Sequence, residues 1–270
     1  RLIHAFRDID IVVHAAALKH VPATEYNPSE CIKTNVSGSQ NIIDAALSGD
    51  SSVKKVIAIS TDKAVNPINI YGASKLAADK LFISSNNFKG KKDIKFSVVR
   101  YGNVFESRGS VIPFFMELEK EGKKSFPITD VNMTRFFISI EDGIKQVVNS
   151  IFNSQGGEIF IPKMPSLKIT DLAKAINPNM KIKITGIRPG EKLHETLISL
   201  DNPDKIIEFK NYYTILPTIN LFLKNQKSYF KNYLNEKGKL LNHSVEYNSF
   251  NNPNYYTIKE VKKFLQKTNV

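Results

Sequence analysis

Cysteine is almost absent from this sequence, and long apolar runs are absent altogether. Cys31 is the single cysteine among 270 residues, which excludes an intramolecular disulfide and favours a reducing cytoplasm as the location. No apolar run approaches the roughly 18 residues that cross a bilayer. Charge interrupts residues 1–8, so they do not have the pattern of a signal peptide. We therefore expect a cytoplasmic protein with no membrane partner.

Two further signals are missing. No glycine-rich turn of the form G-x-G-x-x-G or G-x-x-G-x-x-G occurs in the sequence, although such a turn is what lets a helix N-terminus approach a pyrophosphate. No group of His, Cys and Asp has the spacing of metal ligands, and His14 and His20 lack partners of that kind. We expect no metal site.

The composition is basic, with 38 Lys and Arg against 26 Asp and Glu and a formal net charge of +12. This balance raises the possibility of an anionic partner. The lysines are scattered, however, many of them after residue 201, and no DNA- or RNA-binding motif is present. We expect small phosphate-bearing molecules, and no nucleic acid, to use this charge.

The most informative stretch is a strand followed by polar residues and a helix. Residues 53–59 form an apolar, β-branched run that is typical of a buried strand in a parallel sheet. Ser60-Thr61-Asp62-Lys63-Ala64 follows at the carboxyl end of that strand, where ligands bind in open α/β sheets. The residues from Ala73 onward are good helix formers. The sequence therefore predicts that Tyr71 and Lys75 lie one turn apart on one helix face.

The spacing of Tyr71 and Lys75 has a chemical use. A phenol titrates near 10, too high for a base at neutral pH, but an ammonium one turn away favours the phenolate and lowers its pKa. The alternative is a surface tyrosine above a solvated lysine, which is the commoner origin of an isolated Y-x-x-x-K. The strand and the polar run that precede the motif favour the functional interpretation.

Together these motifs resemble the short-chain dehydrogenase/reductase superfamily, in the extended branch that modifies nucleotide sugars. Four segments carry a narrower resemblance, to the inverting UDP-N-acetylglucosamine 4,6-dehydratases: Ala-Ala-Ala-Leu-Lys-His-Val-Pro (15–22), Ser-Thr-Asp-Lys-Ala (60–64), Arg-Tyr-Gly-Asn-Val (100–104) and Ser-Arg-Gly-Ser-Val (107–111). The resemblance extends from about residue 8 to about residue 200, and more loosely to the end. It implies an α/β fold: a Rossmann-like doubly wound parallel sheet, lacking its first strands, with a smaller mixed substrate-binding lobe.

The resemblance implies a lyase that removes water across C5 and C6 of UDP-N-acetylglucosamine with inversion at C5, for bacterial surface glycan or flagellin sugar synthesis. Tyr71 would take the proton of the C4 hydroxyl, with Thr61 positioning the C4 oxygen. Lys75 would hold the nicotinamide ribose and lower the pKa of Tyr71. Lys63, as a neutral amine, would abstract the C5 proton, and Asp62, as a protonated acid, would protonate the departing C6 oxygen. Both states need shifted pKa values, which a poorly solvated site provides.

The resemblance also implies binding residues. NADP is the expected cofactor, with NAD as the alternative, and its expected contacts are Ala15, Ala16, Lys19, Asn35, Ser60, Tyr71, Lys75 and Val104. The expected contacts of UDP-N-acetylglucosamine are Asn103, Arg108, Val111, Arg135, Arg188 and Glu191. Guanidinium groups suit bidentate contact with phosphate, so the three arginines are expected to converge on the diphosphate and Glu191 to accept ribose hydroxyls.

Simpler explanations stay open for several of these residues. Ala15 and Ala16 could serve only tight helix–sheet packing, and Asn35 could be an exposed polar residue of a helix. Each arginine taken alone is more commonly a surface residue. The order of the motifs along the chain is what favours the functional interpretation.

We expect two structural units. Residues 1–107 are predicted to be the remaining part of a dinucleotide-binding domain, with a return segment near 134–162. Residues 108–133 and 163–270 are predicted to form the substrate lobe and a C-terminal extension, with polar, aromatic loops from about residue 201 and a helix over 257–266. The missing glycine-rich turn indicates a fragment that lacks roughly the first 70 residues and is inactive alone, judged from the resemblance and the usual length of a βαβ unit. The resemblance further implies a homo-oligomer.

Two other functions remain open. A UDP-sugar C4 epimerase of the same superfamily needs Tyr71 and Lys75 but no further acid/base pair, so Asp62 and Lys63 argue against it. A non-catalytic dinucleotide-binding protein would have no reason to keep all four side chains.

Overall fold

A computed structural model describes residues 1–105, 107–202, 205–219, 226–241 and 245–267 of the chain. The predicted α/β class is confirmed, because strands and helices alternate through the first half and build a sheet rich in parallel strands. Among the described residues, no helix is both long enough and apolar enough to span a bilayer.

The described residues contain fourteen strands, from two to seven residues long. In chain order they are β1 (Ile11–His14), β2 (Lys55–Thr61), β3 (Lys95–Tyr101), β4 (Asn103–Val104), β5 (Ser125–Ile128), β6 (Thr134–Ile138), β7 (Ile159–Pro162), β8 (Ser166–Lys168), β9 (Lys181–Ile184), β10 (Thr196–Ile198), β11 (Ile206–Glu208), β12 (Tyr212–Ile215), β13 (Lys239–Leu241) and β14 (Tyr247–Asn248).

The α-helices are α1 (Leu2–Ala5), α2 (Val21–Tyr26), α3 (Pro28–Ile32), α4 (Gly38–Leu47), α5 (Ile70–Ser85), α6 (Val111–Lys120), α7 (Ile140–Asn153), α8 (Ile169–Ile176) and α9 (Ile258–Lys267). A π-helical turn, Lys33–Ser37, joins α3 to α4. Single 3-10 turns occur at Asp62–Ala64 and Gln226–Phe230.

The largest sheet has the order β1-β2-β3-β7-β12-β11-β13. Its first four strands are parallel, and the remaining three join antiparallel. Thr61 pairs with Tyr101 and His14 with Ala58, so β1, β2 and β3 all end on one edge of the sheet. The polar residues that follow these strands therefore meet at that edge.

Apolar side chains cover both faces of the large sheet. Val56 and Val98 pack on one face with Phe82 of α5, while the alternate positions Ile57 and Val99 pack on the other face. Burial of β2 on both faces is the reason that residues 56–59 are apolar without interruption.

A second apolar cluster lies away from the large sheet. It brings together α6, β5, α8 and α9, with Phe115 stacked on Phe126 and Phe105 stacked on Phe264. Strands β5 and β9 pair with each other beside this cluster. The division into a sheet domain and a substrate lobe stays a prediction that this cluster favours.

The region after residue 201 differs from the prediction. Residues expected to be loops form β11, β12 and β13, which extend the large sheet from the edge of β7. These strands have three or four residues each, so their apolar alternation is too brief to distinguish from a loop. The predicted helix over 257–266 is present as α9.

Candidate active site

The catalytic segment is a strand, one tight turn and a helix packed closely together. The Thr61 hydroxyl at the end of β2 caps the turn by accepting a hydrogen bond from the Lys63 amide, with 3.3 Å between N and Oγ1. Asn69 caps α5 by accepting from the Gly72 amide at 2.7 Å. A Cβ at Gly72 would collide with the carbonyl oxygen of Lys63, so only glycine lets α5 sit directly on the turn.

Asp62 and Lys63 form an ion pair at this turn, in which Asp62 is buried and Lys63 is half-buried. The Lys63 ammonium lies 3.1 Å from Asp62 Oδ1 and 3.4 Å from Asn103 Oδ1. The Thr61 hydroxyl donates to the same Asp62 oxygen at 3.0 Å. Asp62 Oδ2 is buried near Gly102 and has no hydrogen-bond partner among the described residues.

Protonation at this pair follows from burial and from the neighbouring charges. Burial raises the pKa of Asp62, and the carboxylate of Glu195 adds to the rise while Lys63 opposes it. Burial works against the charge of Lys63, but Asp62 and Glu195 outweigh it and raise the pKa of this lysine. The direction for Asp62 agrees with a protonated acid. The direction for Lys63 is opposite to the expected neutral amine, because two carboxylates flank it.

Tyr71 faces the same cluster. Burial raises the pKa of Tyr71 to about 12, against the opposing effects of the Lys63 ammonium and a hydrogen bond with Thr61. That Lys75 lowers this pKa stays a prediction, and the net direction in the free protein is upward because burial prevails. Lys75 is buried and donates to the Ile59 carbonyl at 2.6 Å, and Lys63 is the cation with the largest effect on the phenol.

Glu195 is a member of the cluster that sequence reasoning missed. It is 2% exposed, and its Oε1 lies 3.3 Å from Lys63 Nζ and 3.8 Å from Arg135 Nε. The Lys192 ammonium approaches its other oxygen to 4.0 Å. No local signal separates Glu195 from a surface glutamate, because distant parts of the chain bury it.

Asn35 is buried, and the alternative of an exposed helix residue is wrong. Its Oδ1 accepts from the Leu18 amide at 2.8 Å, and its Nδ2 donates to the Leu18 carbonyl and to the Ser74 hydroxyl, both at 2.9 Å. The amide is thus occupied by the chain itself. Asn35 ties the loop after β1 to α5, which carries Tyr71 and Lys75.

The residues expected at the cofactor lie along the same edge. Ala15 and Ala16 follow β1 with exposed side chains, so a flat molecule can approach their backbone where a larger side chain would block it. Lys19 is exposed on the same loop, and its pKa is lowered by partial desolvation and by the charge of Lys63. That these residues, with Tyr71 and Lys75, hold the nicotinamide end of a dinucleotide stays a prediction.

Two other expected cofactor residues have roles within the fold. The Ser60 hydroxyl donates to Asp79 Oδ2 at 2.8 Å, and Arg100 pairs with the same oxygen at 3.0 Å. Ser60 therefore belongs to a buried network beneath the site. Val104 is half-buried in β4, opposite Ile138 of β6.

The three arginines expected at the diphosphate differ in their burial and in their partners. Arg135 is buried, and its guanidinium donates to three backbone carbonyls, those of Thr134, Lys192 and Leu193. Arg188 is exposed and lies 4.0 Å from Glu191. Arg108 is exposed in the loop before α6, two residues ahead of Ser110, and no hydrogen bond or ion pair of its side chain is found within the described part of the chain. Arg135 is thus engaged in holding the 192–193 backbone, and Arg188 and Arg108 remain available.

Glu191, Asn103 and Val111 complete the expected substrate contacts. Glu191 accepts from the Thr129 hydroxyl at 3.0 Å and lies 3.8 Å from Arg135, which joins it to the acid/base cluster. Asn103 contacts Lys63 as described above. Val111 opens α6 and packs against the second apolar cluster.

The sheet topology and the Tyr71/Lys75 helix at its carboxyl edge define a Rossmann-like fold of the short-chain dehydrogenase/reductase type. The family model described as "Polysaccharide biosynthesis protein" matches residues 1–217. The chain belongs to this family.

The chain is 55% identical over 268 residues to a UDP-N-acetylglucosamine 4,6-dehydratase (inverting) of Campylobacter jejuni subsp. jejuni serotype O:2, a match that covers 99% of this chain and 79% of that protein. It is 41% identical over 215 residues to a UDP-glucose 4-epimerase of Rickettsia canadensis, covering 78% of this chain and 62% of that protein. The resemblance inferred from the motifs is thereby confirmed.

Among solved structures, Pen from Bacillus thuringiensis superposes with a TM-score of 0.84 at 34% identity, covering 99% of this chain and 78% of that one. A dTDP-glucose 4,6-dehydratase of Streptomyces venezuelae superposes with a TM-score of 0.64 at 22% identity, covering 71% of this chain and 65% of that one. The second likeness supports the fold alone.

Proposed function

We propose that this protein dehydrates UDP-N-acetylglucosamine across C5 and C6 with inversion at C5, giving a UDP-4-keto-6-deoxy-hexosamine, and that it uses NADP. The observation that carries the proposal is the ion pair of half-buried Lys63 with buried Asp62, 3.1 Å apart, beside the phenol of Tyr71. The relative of Campylobacter jejuni named for this reaction supports it. The proposed setting is the cytoplasmic synthesis of sugars for surface glycans or flagellin by a homo-oligomer.

The first requirement is to make the C5 proton acidic, which a ketone at C4 does. The nicotinamide, when bound, supplies oxidation at C4 and later reduction at C6. Tyr71 takes the proton of the C4 hydroxyl as a general base, a role that requires the phenol to ionise in the closed site. Thr61 positions the C4 oxygen, and Lys75 holds the nicotinamide ribose.

The second requirement is one acid and one base for the loss of water. Lys63 and Asp62 can be an ammonium and a carboxylate, or a neutral amine and a carboxylic acid. The two forms contain the same number of protons, so the transfer of one proton from Lys63 to Asp62 along their hydrogen bond converts the first form into the second. Lys63 then takes the C5 proton while Asp62 protonates the C6 oxygen, and the C6–O bond breaks to release water. The pair ends as ammonium and carboxylate. A proton from solvent then reaches C5 on the face opposite to Lys63, which gives inversion.

Incubation of the full-length protein with UDP-N-acetylglucosamine and NADP in deuterated water tests the proposal. A product with a C6 methyl group and one deuterium at C5 is the expected result. Formation of the C4 epimer without C5 exchange would instead establish the alternative of a UDP-sugar epimerase, which the Rickettsia relative favours by name. If the sugar undergoes neither change while the protein still binds the dinucleotide, the result would indicate a non-catalytic binding protein. The dinucleotide that the protein binds more tightly in titration separates NADP from NAD.

Lys63→Ala should abolish C5 exchange. Lys145→Ala removes a lysine that is paired with Asp142 on the surface and should leave exchange unchanged, so it is the matched control. Retained exchange in Lys63→Ala would remove Lys63 as the base.

A further inference from the structure

Glu195 contacts the amine on which the proposed dehydration depends. Its Oε1 lies 3.3 Å from Lys63 Nζ, close to the 3.1 Å that separates the same nitrogen from Asp62 Oδ1. Two carboxylates from distant parts of the chain therefore flank one ammonium. The Lys63 side chain is 23% exposed, whereas that of Glu195 is 3% exposed.

The chain fixes Glu195 by its backbone. Glu195 N donates to the Ser249 hydroxyl at 2.9 Å, and Ser249 N donates to the Glu195 carbonyl at 2.8 Å. The Ser249 hydroxyl also lies 2.7 Å from that of Thr134. Glu195 thus reaches Lys63 from a loop that two other segments hold in place, and its side chain needs no movement to maintain the contact.

We propose that Glu195 is a positioning residue, which holds the Lys63 amine against Asp62 and keeps one proton on the Asp62–Lys63 pair. This inference rests on the proposed function for its use in dehydration. Its physical content, the control of the charge of Lys63 by Glu195, stands on the geometry of the free protein.

The charges around Lys63 decide how strongly Glu195 acts. The charged or titratable groups that act on Lys63, or on which Lys63 acts, are Asp62, Tyr71, Lys19, Arg135, Lys192 and Glu195. Burial and three of these groups oppose a positive charge on Lys63, and Asp62 and Glu195 are the carboxylates that favour it. When the Glu195 carboxylate is removed, Asp62 is the one remaining carboxylate of the pair that favours the positive charge of Lys63, and Arg135, Lys192 and Lys19 oppose it.

A purely structural role is the competing explanation. Glu195 also lies 3.8 Å from Arg135 and 4.0 Å from Lys192, and these contacts could be its whole purpose. In that case its replacement would lower stability without changing the ionisation of Lys63. The discriminating measurement is therefore the ionisation of Lys63 itself.

Pulsed acetylation of the free protein with acetic anhydride, read by mass spectrometry at Lys63, reports the fraction of neutral amine without substrate or turnover. An opposite charge at this distance moves the midpoint of an ionisation by about one to three pH units. Glu195→Gln should therefore raise the labelling rate of Lys63 at pH 9 by about tenfold or more, because a midpoint lower by one pH unit gives about ten times as much neutral amine. Surface Lys145, read in the same digest, corrects for reagent concentration.

Two variants serve as matched controls. Glu191→Gln removes a carboxylate of the same loop that contacts Arg135 but makes no ion pair with Lys63, so the labelling rate of Lys63 should not change. Glu195→Asp keeps the negative charge and should keep the labelling rate of Lys63 within about threefold of the original. A Glu195→Gln protein that melts cooperatively with an unchanged labelling rate of Lys63 would overturn the inference.

The original protein provides a second test if Glu195→Gln fails to fold. Its Lys63 should reach half-maximal labelling at a higher pH than Lys145, and a lower midpoint overturns the inference. With substrate, Glu195→Gln should move the high-pH decline of kcat to lower pH. If the original protein shows no C5 exchange, the proposed dehydration is overturned. An altered labelling rate of Lys63 in Glu195→Gln would still support the action of Glu195 on Lys63.

Discussion

The side-chain amide of Asn35 pairs with both backbone groups of Leu18, accepting from its N–H at 2.8 Å and donating to its carbonyl at 2.9 Å. Asn35 lies in the π-helical turn Lys33–Ser37, a local distortion that is frequent at functional sites. A π-helical turn contains one residue more than an α-helical turn. This one lies where the Asn35 side chain faces the loop after β1. The loop expected at the cofactor is therefore held by one buried amide.

Asn35→Ala should destabilise the protein by about 2–4 kcal/mol, because it leaves buried backbone and hydroxyl groups without partners. Urea denaturation measures the change in the free energy of unfolding. Gln40→Ala removes an exposed hydrogen bond to Asp44 and should change that free energy by no more than about 0.5 kcal/mol. Equal effects of the two replacements would contradict the role assigned to Asn35.

Gly72→Ala should destabilise the protein by about 1–3 kcal/mol, because the added methyl group collides with the Lys63 carbonyl and forces α5 away from the catalytic turn. The matched control is Gly143→Ala in α7, where nothing lies within 4 Å of the added Cβ. That replacement should stabilise the protein by about 0.5–1 kcal/mol through helix propensity. Thermal melting of both variants gives the signs, and a stabilised Gly72→Ala would refute the close packing.

Tyr71→Phe should lower kcat by about 10²–10⁴, the usual effect of losing a general base. It should also abolish C5 exchange, because no ketone forms at C4. Lys63→Ala should differ by retaining C4 oxidation, visible as the near-ultraviolet absorbance of reduced nicotinamide in a single turnover. If Tyr71→Phe kept C5 exchange, the order of the proposed steps would be wrong.

His14 should make stability depend on pH. Burial, assisted by Lys75, lowers the pKa of His14 to about 4, whereas an unfolded histidine titrates near 6.5. Between these pH values the unfolded chain binds more protons than the folded protein, so stability rises with pH and the gain is complete above about pH 6.5. The loss on going from pH 7 to pH 4 is about 3 kcal/mol.

His14→Gln removes this group, so its free energy of unfolding should fall less steeply below pH 6.5 than that of the original protein. Urea denaturation at several pH values between 4 and 7 measures the two curves. Parallel curves would show that His14 is not held neutral by the fold.

The segment that carries Tyr71 and Lys75 could be predicted from the sequence because its signals are local. An apolar run, a polar turn and a helix follow one another, and α5 begins at Ile70, three residues before the run of helix formers. The roles given to Lys63 and Lys75 in ionisation could not be predicted. They depend on Glu195 and on the Ile59 carbonyl, whose positions are set by tertiary packing.

The strands after residue 201 show the same limit. β12 is defined by its pairing with β7, and β11 by its pairing with β12. Sequence patterns specify which residues can be buried, whereas partners from elsewhere in the chain decide whether so short a segment becomes a strand. Arg135 is a further case, because its burial against three carbonyls leaves no trace in the residues beside it.

The contact between Lys63 and Glu195, with Ser249 behind it, has a consequence for synthesis. A ribosome that has released only the residues up to the end of α8 carries the strand, turn and helix of the site but lacks the second carboxylate. The acid/base centre can therefore be completed only after Glu195 and Ser249 have both emerged, and a nascent chain that ends before them lacks the finished centre.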